Sequence, residues 1–166
     1  MNALKDLYKV ILKLLSGLII LLATVLIFVV FTNVIARYFF SSAFGWADEV
    51  ARFLFIWISF IGAVIANNNS GHMNLDILIK YTPKQVGYAV QIFANIMVLI
   101  ISILLTLGGI IIVQGSLAWL TPALEIPYGM VYSIAPVCCF LLAIQSIMHF
   151  VRLFKTMTGK RTNEEA

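Results

Sequence analysis

The chain has 166 residues, of which 62% are hydrophobic and only 11% charged, with a formal net charge of +4. That leaves too little polar side-chain surface to cover a soluble domain of this size, so a water-soluble globular protein is excluded and the chain belongs to the integral membrane class. In this setting the basic excess is a topology signal and not a nucleic-acid footprint.

In chain order, Lys5, Lys9 and Lys13 flank an apolar run from Val10 to Ala36. The run is about twice the core of a secretory signal and lacks a small-x-small cleavage site, so a retained membrane helix is predicted over 10–37. A second apolar segment covers 48–68. The stretch "NNNSGHMN" after it reads as a loop. "MNLDILIKYTPKQ" then places Leu75, Leu78 and Ile79 on one helical face and Asp76 with Lys80 on the other, which predicts a short interfacial amphipathic helix over about 74–81. Thr82, Pro83 and Gln85 form a capping-box pattern that starts a third membrane helix, 84–114. The fourth segment, 129–153, contains Pro136, which has no N–H for the carbonyl of Tyr132 and predicts a bend. Gly108 and Gly109 read as ordinary packing positions. Cys138 and Cys139 are adjacent, so their side chains diverge by about 100° on a helix; two small buried apolar residues fit better than a redox pair.

The expected fold is therefore all-α, a single membrane domain over 1–166 with four transmembrane helices, one interfacial helix, and tails at 1–9 and 154–166. Nine of the eleven basic residues fall on one side: Lys5, Lys9, Lys13, Lys80, Lys84, Arg152, Lys155, Lys160 and Arg161. Only Arg37 and Arg52 fall on the other. This bias predicts cytoplasmic termini in a bacterial inner membrane.

No acid or base lies near the centre of any segment. The strongest polar groups noted, Asn33, Gln91, Asn95 and Gln114, lie toward segment ends and are expected to form interhelical hydrogen bonds. His72 and His149 share a depth that could suit a haem, but His72 falls in the loop-like stretch, and no cofactor or metal site is expected. The densest charge is in "GWADEVARFLFIW", residues 45–57. There Asp48 and Glu49 can each pair with Arg52 along one helical face, with Arg37 opposite and Trp46 as an interfacial aromatic. The group reads as a neutral corner between two helices. Below it, Ser59, Gly62, Ala63 and Ala66 form a small-residue stripe flanked by Phe53, Trp57 and Phe60, a surface for close helix approach within the bundle or to a partner.

These residues carry a resemblance. "RYFFSSAFGWADEVARFLFIWISFIGAVIANNNSGHMNLD" resembles the small membrane (Q) subunit of tripartite ATP-independent periplasmic (TRAP) transporters, through Arg37-Tyr38, Trp46, Glu49, Arg52, Trp57, Gly62 and His72. "LEIPYGMVYSIAP" matches the family's Ile-Pro and Tyr-x-x-x-Pro element at Ile126-Pro127 and Tyr132 to Pro136. One departure is Asn67-Asn68-Asn69, where many members are basic. The resemblance implies a non-enzymatic scaffold subunit that braces a large multi-helix permease. A periplasmic binding protein would deliver an organic acid, such as a C4-dicarboxylate or sialic acid, and sodium coupling would reside in the large subunit. The charged corner could fix the helices or help the binding protein dock. The alternatives are a stand-alone four-helix transporter, which would need an embedded glutamate in the first helix where this chain has only Asp6 in its tail, and a haem or thiol redox protein.

Overall fold

The computed structural model describes residues 2–41, 44–81 and 84–157, with side chains described for 10–39, 41, 44–68, 90–151 and 153. Among these residues the chain is all-α: α1 (Asn2–Phe40), α2 (Gly45–Tyr81), α3 (Lys84–Ser116), α4 (Tyr128–Tyr132) and α5 (Ile134–Met157). Four stretches are long and apolar enough to cross a membrane: Val10–Phe39, Gly45–Asn68, Val90–Ser116 and Tyr128–Val151. At ~1.5 Å per residue, each exceeds a hydrocarbon core of ~30 Å. The four expected spans are in place, with α1 helical almost from its start.

One expectation is corrected. Residues 67–74 do not form a loop: α2 runs unbroken to Tyr81, so the helix expected at 74–81 is its continuation. Asparagine, serine and glycine each cost up to about 1 kcal/mol relative to alanine inside a helix, a weak preference that context overrides; no proline interrupts before Pro83. The side chains of His72, Leu75, Asp76, Leu78, Ile79 and Lys80, and the Thr82-Pro83 cap, lie outside the described residues.

The helices pack as a row: α1 against α2, α2 against α5, α5 against α3, with α4 also seated on α3. At the middle, Ile61 and Val64 of α2 meet Cys138 of α5, wrapped by Leu18, Ile19 and Leu22 of α1 and by Leu141 and Leu142. Both cysteines are buried free thiols. Lipid tails are as apolar as these side chains, so close packing and hydrogen bonds, not water exclusion, hold the row together. Small residues permit the approach. Ala36 and Ala47 are buried, and a β-carbon on Gly62 would lie 3.6 Å from Ile19 Cδ1.

The expected bend appears as a break. α4 ends at Tyr132 and α5 begins at Ile134, two residues before Pro136. The proline ring packs on α3 at Gly109, where an added β-carbon would stand 3.2 Å from Pro136 Cδ. Gly129 is tighter: its β-carbon would meet the Val113 carbonyl oxygen at 2.7 Å and Leu117 Cδ2 at 2.8 Å. Gly129→Ala must push α4 away from α3 and should destabilise the protein by about 1–3 kcal/mol, the usual range for overpacking. Gly17→Ala, with nothing within 4 Å and a position inside α1, should not destabilise it and gains up to about 1 kcal/mol of helix propensity. Thermal denaturation of the purified variants checks both.

Candidate partner-contact site at the hairpin end

Two connections meet at one end of the row, 41–44 between α1 and α2 and 117–127 between α3 and α4. The first is organised by Asn33 of α1, a buried amide. Its Nδ2 donates to Asp48 Oδ1 at 2.9 Å, and its Oδ1 accepts the Phe44 N–H at 2.9 Å. The Ala47 N–H donates to the Phe44 carbonyl, and Ser41 turns the chain with φ at 50°. Arg37 approaches Asp48 at 3.9 Å, with both side chains more than half exposed, so the pair adds little. Trp46 leans on Phe44, ring centroids 5.8 Å apart.

The second connection is organised by Glu49. Its carboxylate is buried, accepting the Ala123 N–H on Oε1 at 3.0 Å and the Leu124 N–H on Oε2 at 3.1 Å. Charge-assisted bonds of this kind are roughly twice as strong as neutral ones. The segment they hold is folded on itself. Thr121, itself buried, donates its N–H to the Ile126 carbonyl and accepts the Ile126 N–H on Oγ1. The Glu125 N–H donates to the Thr121 carbonyl, and Tyr128 N–H to Trp119. Leu120 and Pro127 form an isolated bridge. Glu125 is held in the left-handed region at φ 54°, a conformation that a side chain adopts only when surrounding bonds impose it.

Below the loop, α2 takes hold of α4. Trp57 Nε1 donates to the Val131 carbonyl at 3.1 Å, and Phe53 meets Tyr128 edge-on at 6.5 Å. Tyr132 stacks on Tyr128 at 6.0 Å. Glu49, Trp57, Pro127 and Tyr132 thus converge on the α3–α4 connection and α4 seated against α2, while Pro136 packs separately on Gly109 of α3.

This corrects the expected charge corner. Glu49 does not pair with Arg52; among the described residues Arg52 is exposed and forms no ion pair, and Asp48 turns to Asn33 and Arg37. Two fixed backbone donors within 3.1 Å outcompete a long exposed guanidinium, whose ordering costs entropy for a weakly held pair. The small-residue stripe also divides. Gly62 faces α1, while Ser59, Ala63 and Ala66 are exposed on the outer face of α2.

Toward the other end, polar bonds again cross helices. Asn67 Nδ2 donates to Gln145 Oε1 at 2.9 Å, and Asn95 Nδ2 to the Ser146 carbonyl at 2.9 Å. Gln145 and Ser146, buried on α5, were not singled out by sequence reasoning, although an amide inside "LLAIQSIMHF" was the signal. The Gln145 Nε2 and Ser146 Oγ atoms have no partner among the described residues. Of the other expected polar contacts, Gln114 is exposed. Among the described residues no three His, Cys, Asp or Glu side chains gather.

Comparison with known proteins gives the family. The family model for the DctQ component of tripartite ATP-independent periplasmic transporters matches residues 26–156. A Haemophilus influenzae protein named for a TRAP transporter small permease is 32% identical over 120 residues, covering 72% of this chain and 74% of the relative. The isethionate TRAP transporter permease protein DctMQ of Oleidesulfovibrio alaskensis is 27% identical over 122 residues, covering 72% of this chain but only 18% of its own. The C4-dicarboxylate TRAP transporter small permease protein DctQ of Vibrio cholerae is 35% identical over 78 residues, covering 47% of this chain and 34% of that one.

The Glu49 geometry makes a specific demand. Glu49→Ala removes the acceptor of two part-buried N–H groups and with it two charge-assisted bonds, each contributing about 1.5–3 kcal/mol. Amide exchange at Ala123 and Leu124 should then accelerate at least about tenfold, the factor that 1.4 kcal/mol represents. Arg52→Ala should not change it. Hydrogen exchange read by mass spectrometry over 119–128 checks both.

Proposed function

Since the chain belongs to the DctQ component of the tripartite ATP-independent periplasmic transporters, we propose that it acts as a scaffold: a small permease subunit bracing a large translocating subunit during sodium-driven, binding-protein-dependent uptake of an organic acid. The observation that carries this is the fused relative. A region similar to this chain occupies 18% of one polypeptide named DctMQ, so in that protein the small-permease part is tied covalently to a much larger one.

The exposed face of α2 supports the same reading. Ser59, Ala63 and Ala66 lie in line at spacings of four and three, and the Ser59 hydroxyl is folded back onto the Phe55 carbonyl. Such a line lets a second backbone come close, which is how helices associate in lipid. We place the large subunit there. Asn33 and Glu49 are buried and spend their polar atoms on this chain's own groups, so we give them a structural role in place of direct contact with the periplasmic binding protein. Sodium binding and the translocation path fall to the large subunit, and this chain needs no cofactor.

The substrate class is an anionic organic acid. The relatives' names give isethionate, a sulfonate, and C4-dicarboxylates, which widens the class beyond carboxylates. The bias of nine basic residues against two supports an inner-membrane location with both termini cytoplasmic.

Ala63→Trp should lower co-purification with the large permease and lower uptake in parallel, while Phe93→Trp, on the exposed face of α3, should do neither. Liposomes holding this chain alone should take up no substrate; uptake there would overturn the scaffold reading. In intact cells an impermeant maleimide should label Trp119→Cys and should reach Lys160→Cys only after permeabilisation.

A further inference from the structure

A laterally open cleft of about 300 Å³ lies between α1 and α4. Its floor is Phe53, Leu54 and Trp57 of α2; Leu22 of α1 and Met130 of α4 form its walls, and Ile126 closes the top. We propose that this cleft is a lipid-binding site holding one acyl chain of a phospholipid from the leaflet at the hairpin end.

Depth is the first argument. The Asn33–Asp48 hydrogen bond marks one level shared by α1 and α2. Counting down from it at ~1.5 Å per residue, Leu22 lies about 16 Å and Trp57 about 14 Å deeper, which is half of a ~30 Å hydrocarbon core. The cleft therefore runs from the interface to the bilayer midplane, the length of one acyl chain.

Chemistry is the second. The one polar side-chain atom on the floor, Trp57 Nε1, is already spent on the Val131 carbonyl. Water needs two to four polar partners to occupy a cavity, and this lining is almost wholly apolar. The volume is about twice the roughly 150 Å³ of an apolar cavity that stays dry and takes up benzene. An empty cleft in hydrocarbon would forfeit dispersion contacts along its whole lining.

Continuity is the third. Met130, at the mouth, is 60% exposed, so the cleft merges with the surface that the four spans present to lipid. It also opens away from the face assigned above to the large subunit. At about 100° per residue, Leu54 and Trp57 lie roughly 120–180° around α2 from Ser59, Ala63 and Ala66. This last step rests on the proposed placement of the large subunit; the first two do not.

The test uses the intact complex of small and large permease in nanodiscs containing phosphatidylethanolamine with a diazirine midway along one acyl chain. After irradiation and digestion, mass spectrometry should find lipid adducts on the 53–57 and 130–131 segments. Met130→Trp and, separately, Leu54→Trp should lose most of these adducts while those on the exposed 104–111 stretch of α3 persist. Wild-type complex with adducts on α3 but none in the cleft overturns the proposal, and needs no variant to fold. So does p-benzoylphenylalanine at Met130 crosslinking to the large subunit, since a protein side chain would then fill the cleft. The same photoreactive residue at Ala63 tests the assembly reading separately: lipid adducts in the cleft without a crosslink from position 63 uphold this site and refute that placement.

Discussion

A carboxylate buried at the membrane interface must find donors, and Glu49 finds two consecutive backbone N–H groups, those of Ala123 and Leu124. Much else in the hairpin end depends on that pairing. It fixes the 121–126 turn, holds Glu125 at a φ of 54° and sets where Pro127 begins α4. Trp57 then meets the Val131 carbonyl and Pro136 settles on Gly109. Remove the carboxylate and the two donors lose the acceptor that ties the turn to α2.

The rest of the molecule follows from a solvent that offers no hydrophobic reward for helix contact. Helices in lipid are joined where backbones come close or polar groups exchange bonds, and the row shows both. Ala36, Ala47, Gly62, Gly109 and Gly129 are the close approaches. Asn33 and Glu49 toward one end and Asn67 and Asn95 toward the other are polar fixings, with the Trp57 bond to the Val131 carbonyl between them. Fixings at both ends resist tilt better than the same number in the middle, which suits the scaffold role proposed above.

Much of this was legible in the sequence. Apolar segment length gives the spans, because the bilayer imposes one dimension on every chain that crosses it. Pro136 announces its break, since a missing N–H is a local property. The candidate site was only half legible. Charge spacing along one helix suggested that Glu49 would pair with Arg52, yet its partners are 74 and 75 residues away in sequence and are backbone atoms, which no residue identity advertises. The same limit explains Gln145, whose amide matters because Asn67 arrives from another helix. Residues 67–74 misled for a different reason: a polar composition suggests a loop, but propensities below about 1 kcal/mol per residue do not stop a helix already under way.

The unbroken course of α2 has a consequence for how the sequence can change length. Glu49, Trp57, Gly62 and Asn67 are all on one rigid helix and engage α1, α4, α5 and the loop at set angles. One residue inserted between Trp57 and Gly62 would turn everything beyond it by about 100° and shift it by ~1.5 Å. Gly62 would leave Ile19 and Asn67 would leave Gln145, while the hairpin end stayed intact. Length changes within this part of α2 are therefore opposed by angle and not by burial, since even its exposed positions keep the register for the buried ones.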